Sequence, residues 1–319
     1  MTAQAPHRAL AQALARLSPA PRHPALRYLV EALEARHQGC ASAFLYYGSC
    51  LRSGDPYDGL VDLYMIVDEY RCANSSRARA VWNRLLPPNV FYAEFPHQGK
   101  TLRCKYAVLS LADLRRGTSR RWFHSYLWGR FSQPTAIAWC RDTDTQRHIE
   151  DCLAQAVVTF LERILPAAAP QGTIDSLWEE GLKLSYRAEL RVESGDRARE
   201  LVQCNHDYYE TVTRLAQPLL KGPLELAEAP DTDYRYAARS PARLAARLGW
   251  RLRIAQGKLL SVARLVKALF TFDGGLDYLA WKLERHSGVP IDIPDRVRRH
   301  PLIFIWGMFW DLYRRGVFR

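Results

Sequence analysis

Apolar positions follow two regimes along the chain. Up to about residue 110, short apolar runs of strand length alternate with stretches of helical spacing; beyond that point helical spacing takes over. Residues 24–38 predict a helix with Leu26, Tyr28, Leu29 and Leu33 on its apolar side, and residues 42–47 predict a first strand. A loop over 50–59 carries the turn signal Gly-Asp-Pro, and a second strand follows over 61–68. Residues 74–86 read as a helix stopped by Pro87-Pro88. Strands over 90–95 and 101–110 flank His97-Gln98-Gly99-Lys100, a hairpin loop. Helices are then expected over 120–131, 144–165, 174–192, 197–219 and 242–269, with a linker-like stretch over 222–240 that holds Pro223 and Pro230.

The expected fold class is therefore α+β: a mixed-sheet domain over 25–118, then an all-helical domain over 119–300. Residues 1–24 are rich in Ala, Pro and Arg and lack an apolar run of signal-peptide length, so they are expected to form a disordered leader. Residues 301–319 close the chain with an aromatic-rich apolar segment followed by Arg314, Arg315 and Arg319. That pairing of aromatics and cations suits a membrane interface, or else a helix docked into the core. No run of apolar residues is long enough to span a bilayer.

Composition adds one constraint on partners. A net charge of +12 and a pI near 9.5 point to a polyanionic partner, whether nucleotide phosphates, nucleic acid or an anionic membrane. The 7 cysteines are odd in number and form neither a CxxC motif nor a Cys/His cluster, so free thiols in a reducing cytoplasm and no zinc site are expected.

Candidate chemistry gathers where the first strand ends and the second begins. Gly48-Ser49 closes the first strand, and a glycine without Cβ lets backbone N–H groups and a hydroxyl approach a phosphate. About a dozen residues on, Asp62 stands near the start of the second strand, placed to hold Mg²⁺ against that phosphate. This arrangement resembles a nucleotidyltransferase of the polymerase-β type. A second carboxylate would be expected at position 64, which shares a strand face with 62, but that residue is Tyr64. Asp68 lies six residues away, roughly 20 Å at strand rise, too far to share an ion. Either the loop acids Asp55 and Asp58 fold back, or Glu94 of the next strand is the partner. Arg103 and Lys105 share one face of their strand; if it looks into the cleft, Lys105 is a phosphate ligand, and otherwise the face is solvated. Arg187 and Arg191 stand one helical turn apart, as a phosphate clamp or a solvated face. Arg253, Lys258, Arg264 and Lys267 make a basic amphipathic helix.

Four stretches together resemble the mitochondrial translocator assembly and maintenance protein family, peripheral phosphatidate cytidylyltransferases, and its bacterial relatives. They are Tyr47-Gly48-Ser49, the strand from Val61 to Asp68, the strand from Leu102 to Ser110 with Leu127-Trp128-Gly129-Arg130, and Leu184-Ser185-Tyr186-Arg187. They occur in the family's order and cover about half the chain. A Gly-Asp expected just after Tyr186 is missing.

The resemblance implies transfer of a cytidylyl group from CTP to phosphatidate, giving CDP-diacylglycerol and pyrophosphate with Mg²⁺. It also implies a polymerase-β-type domain and a peripheral site on the cytoplasmic face of a bacterial inner membrane. No nucleic-acid partner is expected. By this likeness Asp62 and Lys105 are catalytic. Gly48, Ser49, Lys105, Tyr186 and Arg187 bind nucleotide, and Asp62, with Glu94, binds metal. The rivals are a nucleotidyltransferase with a soluble or RNA acceptor, and a non-catalytic scaffold with a vestigial cleft.

Overall fold

The computed structural model describes residues 4–73, 76–189, 195–229, 232–271, 284, 291–299, 307, 310 and 314. Helix α1 (Gln4–Leu17) precedes α2 (Pro24–Arg36), whose first turn is set by Pro24 and capped by the His23 ring accepting from the Ala25 N–H. Strand β1 (Ala41–Tyr47), the short helix α3 (Ser49–Ser53) and β2 (Val61–Val67) follow. Helix α4 (Arg77–Leu85) leads into the hairpin of β3 (Asn89–His97) and β4 (Lys100–Ser110). Both central turn residues, Gln98 and Gly99, have positive φ, which matches the strands' right-handed twist. Helices α5 (Leu111–Thr118) and α6 (Ser125–Phe131) then give way to a fifth strand, β5 (Ala136–Cys140).

The five strands form one mixed sheet in the order β3-β4-β2-β1-β5. Only β2 and β4 run parallel; the other neighbours are antiparallel. β1 and β2 are interior strands covered on both faces, which explains their nearly continuous apolar runs. One face carries Phe44, Tyr46, Leu63, Met65 and Tyr106 and packs under the Leu26, Leu29 and Leu33 side of α2. The other carries Leu45, Tyr64, Ile66 and Leu109 and merges into the core of the helices.

That helical layer contains α7 (Thr143–Ile164), α8 (Ile174–Arg187), α9 (Gly195–Gln203), α10 (His206–Ala216) and α11 (Ser240–Thr271). It is not all-helical. β5 returns to the sheet beside β1, and β6 (Gln171–Gly172), β7 (Leu224–Ala229) and β8 (Thr232–Tyr236) form a second small sheet. The stretch over 222–240, which reads as a linker, thus contains a hairpin. Tyr234 of β8 is fully buried, with its hydroxyl donating to the Ala169 carbonyl. A short helix, α12, spans Asp295–Arg299.

Two further expectations are corrected. Residues 4–17 are not a disordered leader: Leu10, Ala11 and Leu14 are buried against α7 and α10, and Arg8 sits 3.8 Å from Glu150. The segment has no acid of its own, and the carboxylate that faces Arg8 belongs to α7. Nor are all seven cysteines free: Cys40 and Cys72 form a disulfide, their Cα atoms 5.7 Å apart, while Cys50, Cys104, Cys140, Cys152 and Cys204 are thiols. The membrane expectation for 301–319 falls almost wholly outside the described residues.

Candidate active site

Asp62 projects from β2 onto the sheet face shared with the helical layer. Tyr47 of β1 is its antiparallel partner and Lys105 of β4 its parallel one, so three side chains stand in a row across the sheet. Lys105 Nζ lies 3.5 Å from Asp62 Oδ1. The cleft-facing side of β4 is therefore the one that carries Lys105.

Gly48 follows Tyr47 with φ of 90°, a conformation that L side chains avoid. A Cβ there would lie 2.8 Å from Asp62 Oδ2. Both constraints demand glycine, and the result is that the backbone of the Gly48-Ser49 turn lies directly against the carboxylate.

These residues line a cavity of about 230 Å³ with Tyr47, Gly48, Ser49, Arg52 and Asp62 on the sheet side, and Arg130, Gln133, Tyr186 and Arg197 on the helical side. Asp62 is the only carboxylate among the lining residues, against three guanidinium groups. Such a surface favours a ligand with several negative charges.

Arg130 is the most constrained of the three. Its guanidinium lies over the Tyr47 ring, 5.1 Å from the centroid, and 3.5 Å from the Glu189 carboxylate. Burial works against its charge, but Glu189 and the hydroxyls of Tyr47, Tyr64 and Tyr126 together more than offset this and hold it protonated. Its Nε is buried with no hydrogen-bond partner, a donor left for an acceptor. Burial, then the Asp62 charge, pushes the Tyr47 hydroxyl well above the ordinary phenol range, so it acts only as a neutral group.

The local sequence explains how the helical wall reaches the cleft. Gly129 of α6 packs on Ser185 of α8 so closely that a Cβ at 129 would collide with the Ser185 hydroxyl. The next residue along each helix, Arg130 and Tyr186, lines the cavity, and the Tyr186 hydroxyl donates to Gln133 at 3.0 Å. Tyr64 is fully buried under the same helix, its ring 4.9 Å from Phe131 and its hydroxyl 3.5 Å from that of Tyr126. α6 covers the position where a second carboxylate would stand, and a charge there would be buried.

The structure thus brings Gly48, Ser49, Asp62 and Tyr186 together around one cavity, with Lys105 beside Asp62 but not among the lining residues. It does not bring in Glu94 or Arg187. Glu94 lies opposite Arg103 on β3, two strands from Asp62, and its carboxylate is engaged by Arg103 at 3.2 Å and by the Tyr92 hydroxyl at 2.5 Å. Arg187 points away to solvent, and Arg191 is outside the described residues. Asp55 closes its own turn by accepting from the Tyr57 N–H. Asp68, at the far end of β2, pairs with Arg141 at 2.8 Å. Among the described residues no group of three acids, histidines or cysteines forms a metal cage.

Arg52, Arg130, Gln133 and Arg197 were not singled out from sequence. Arg130 carried the only advance signal, as the end of Leu127-Trp128-Gly129-Arg130. Compared with known proteins, the chain matches no family model and no curated sequence.

Proposed function

We propose that this chain is a polymerase-β-type nucleotidyltransferase that moves a cytidylyl group from CTP to phosphatidate, releasing pyrophosphate and leaving CDP-diacylglycerol. The observation that carries the reading is the cavity in which the Gly48-Ser49 turn, Asp62 and Arg130 converge, with Lys105 in register behind Asp62 and 3.5 Å from its carboxylate. The choice of cytosine and of a lipid acceptor rests on the family resemblance; the triphosphate rests on the excess of cations.

In this reading the Ser49 hydroxyl and the backbone of the turn donate to phosphate oxygens. Lys105 neutralises charge that builds on the departing pyrophosphate, and the free Arg130 Nε donates to a further phosphate oxygen. A phosphate oxygen of the acceptor attacks the α-phosphorus of CTP. That P–O bond forms as the bond to the bridging oxygen of pyrophosphate breaks. The acceptor phosphate is already anionic at neutral pH, so no side chain need act as a general base. The work of the site is positioning and charge neutralisation.

Mg²⁺ fits this donor set: it takes one or two protein carboxylates and draws its remaining ligands from substrate phosphates and water. Asp62, with an oxygen turned toward the glycine turn, is the protein ligand in this reading, and Glu94 is not. The ion would supply Lewis-acid neutralisation of the triphosphate. No described helix is long and apolar enough to cross a membrane, so contact with a lipid acceptor would be peripheral.

The test is incubation of the full chain with each labelled nucleoside triphosphate, Mg²⁺ and phosphatidate, followed by extraction of the lipid phase. Label entering lipid from CTP, and lost in EDTA, is the expected result. Label from no triphosphate, or equally from ATP, overturns the proposal.

A further inference from the structure

Helix α11 is inverted relative to its sequence pattern. Its cations Arg253 and Lys267 are buried and Arg264 is half-buried, each bonded to main chain. Arg253 Nε donates to Phe123 O at 2.6 Å, Arg264 Nε to Pro87 O at 3.2 Å, and Lys267 Nζ to Pro88 O at 2.9 Å. With Trp250 they pin the inner side of the helix. Outward instead are Leu244, Leu248, Leu252, Leu259 and Val262, each 47–71% exposed. At 3.6 residues per turn these five fall within an arc of roughly 80° along about 27 Å of helix. Exposed Arg247, Arg251 and Lys258 border one edge of that stripe, and α11 contains no acidic residue.

We infer that the outward face of α11 is a docking surface for an anionic lipid bilayer. An apolar stripe edged by cations matches the boundary between acyl chains and acidic headgroups. Nucleic acid would answer the cations but leave the leucines in water. A second copy meeting the same face would bring Arg247, Arg251 and Lys258 against one another, without a carboxylate on either helix. The inference deepens the proposed function by naming the surface on which an enzyme with a lipid-borne acceptor would sit, and its test does not use the cleft.

The full chain is floated with vesicles of phosphatidylcholine, with or without phosphatidylglycerol, neither of which is the proposed acceptor. Wild type is expected to float with the anionic vesicles only. Leu248→Gln/Leu252→Gln/Leu259→Gln should weaken binding by about a hundredfold. Arg247→Gln/Arg251→Gln should weaken it by about twenty-fivefold, at roughly fivefold per cation. Both variants should melt with wild type, because these side chains are exposed. Wild type that fails to float, or a leucine variant that floats equally well, overturns the inference. So does a leucine variant that melts early, which would place the stripe inside the fold, or one that turns a dimer into a monomer, which would make a second copy the occupant. Transfer to a water-soluble short-chain phosphatidate separates the two proposals: a chain that floats but transfers nothing loses only the proposed function, and one that transfers but does not float loses only this surface.

Discussion

Gly48 and Asp62 are in such close apposition that the first side-chain carbon of any other residue at 48 would press on the carboxylate, 2.8 Å from Oδ2. The turn and the acid belong to adjacent strands and are fixed by the Tyr47–Asp62 register, so neither moves without the other. Gly48→Ala should therefore disturb both the backbone, at φ of 90°, and the position of Asp62. A stability loss of about 1–3 kcal/mol is expected, together with loss of nucleotidyl transfer at temperatures where the variant is still folded. A thermal melt paired with the transfer assay checks this; a variant as active as wild type would show that the contact has no role.

Arg130 should matter to catalysis beyond its part in packing. Arg130→Gln removes the buried Nε donor and the charge over Tyr47. Transfer should fall by about a hundredfold or more. Arg187→Gln, one residue from Tyr186 but exposed, should leave transfer unchanged. Equal losses in the two variants would undo the distinction drawn between them.

Helix α1 should be part of the folded body. Leu10 is fully buried, and Leu10→Ala should cost about 2–4 kcal/mol in denaturant unfolding. An unchanged midpoint would restore residues 4–17 to the status of a leader.

His124 provides a pH-dependent term. Its Nδ1 accepts from the Tyr126 N–H as the cap of α6, and burial, with Arg264 and Arg253 nearby, lowers its pKa from 6.5 to about 4. The folded state thus keeps it neutral while the unfolded chain takes a proton. Its contribution is fully present above pH 6.5 and is lost as pH falls toward 4. At pH 5 the loss should be about 2 kcal/mol. His124→Asn keeps a capping acceptor but cannot titrate. Denaturant unfolding at pH 7 and pH 5 should show a smaller drop for the variant than for wild type; equal drops would contradict the assignment.

The core of the site was legible in sequence because its signals are local. Gly48-Ser49 ends one apolar run, Asp62 opens the next, and the alternation around Arg103 and Lys105 puts both on one strand face, though it does not say which way that face looks. What the sequence hid depends on contacts between distant segments. Arg130 and Tyr186 reach the cavity because Gly129 meets Ser185, and no spacing within either helix reveals that meeting. Glu94 reads as an available carboxylate in the sequence, yet Arg103 and the Tyr92 hydroxyl, from the same hairpin, engage it. β5 has only five residues and follows a helical run, so its place at the sheet edge comes from pairing with β1 rather than from its own pattern. The cations of α11 followed the usual rule for a solvated face, yet three of them turn inward because main-chain carbonyls of Phe123, Leu86, Pro87 and Pro88 await donors there. The unusual arrangement is that carbonyls, rather than acids, receive them.

The central claim is that Asp62 serves nucleotidyl transfer, and Asp62→Asn tests it most directly. The substitution keeps the size of the side chain and removes its charge. With labelled CTP, Mg²⁺ and phosphatidate, wild type should yield labelled lipid, and the variant should yield at least about a hundredfold less at an unchanged melting temperature. Labelled lipid formed by the folded variant at a rate near that of wild type would contradict the account.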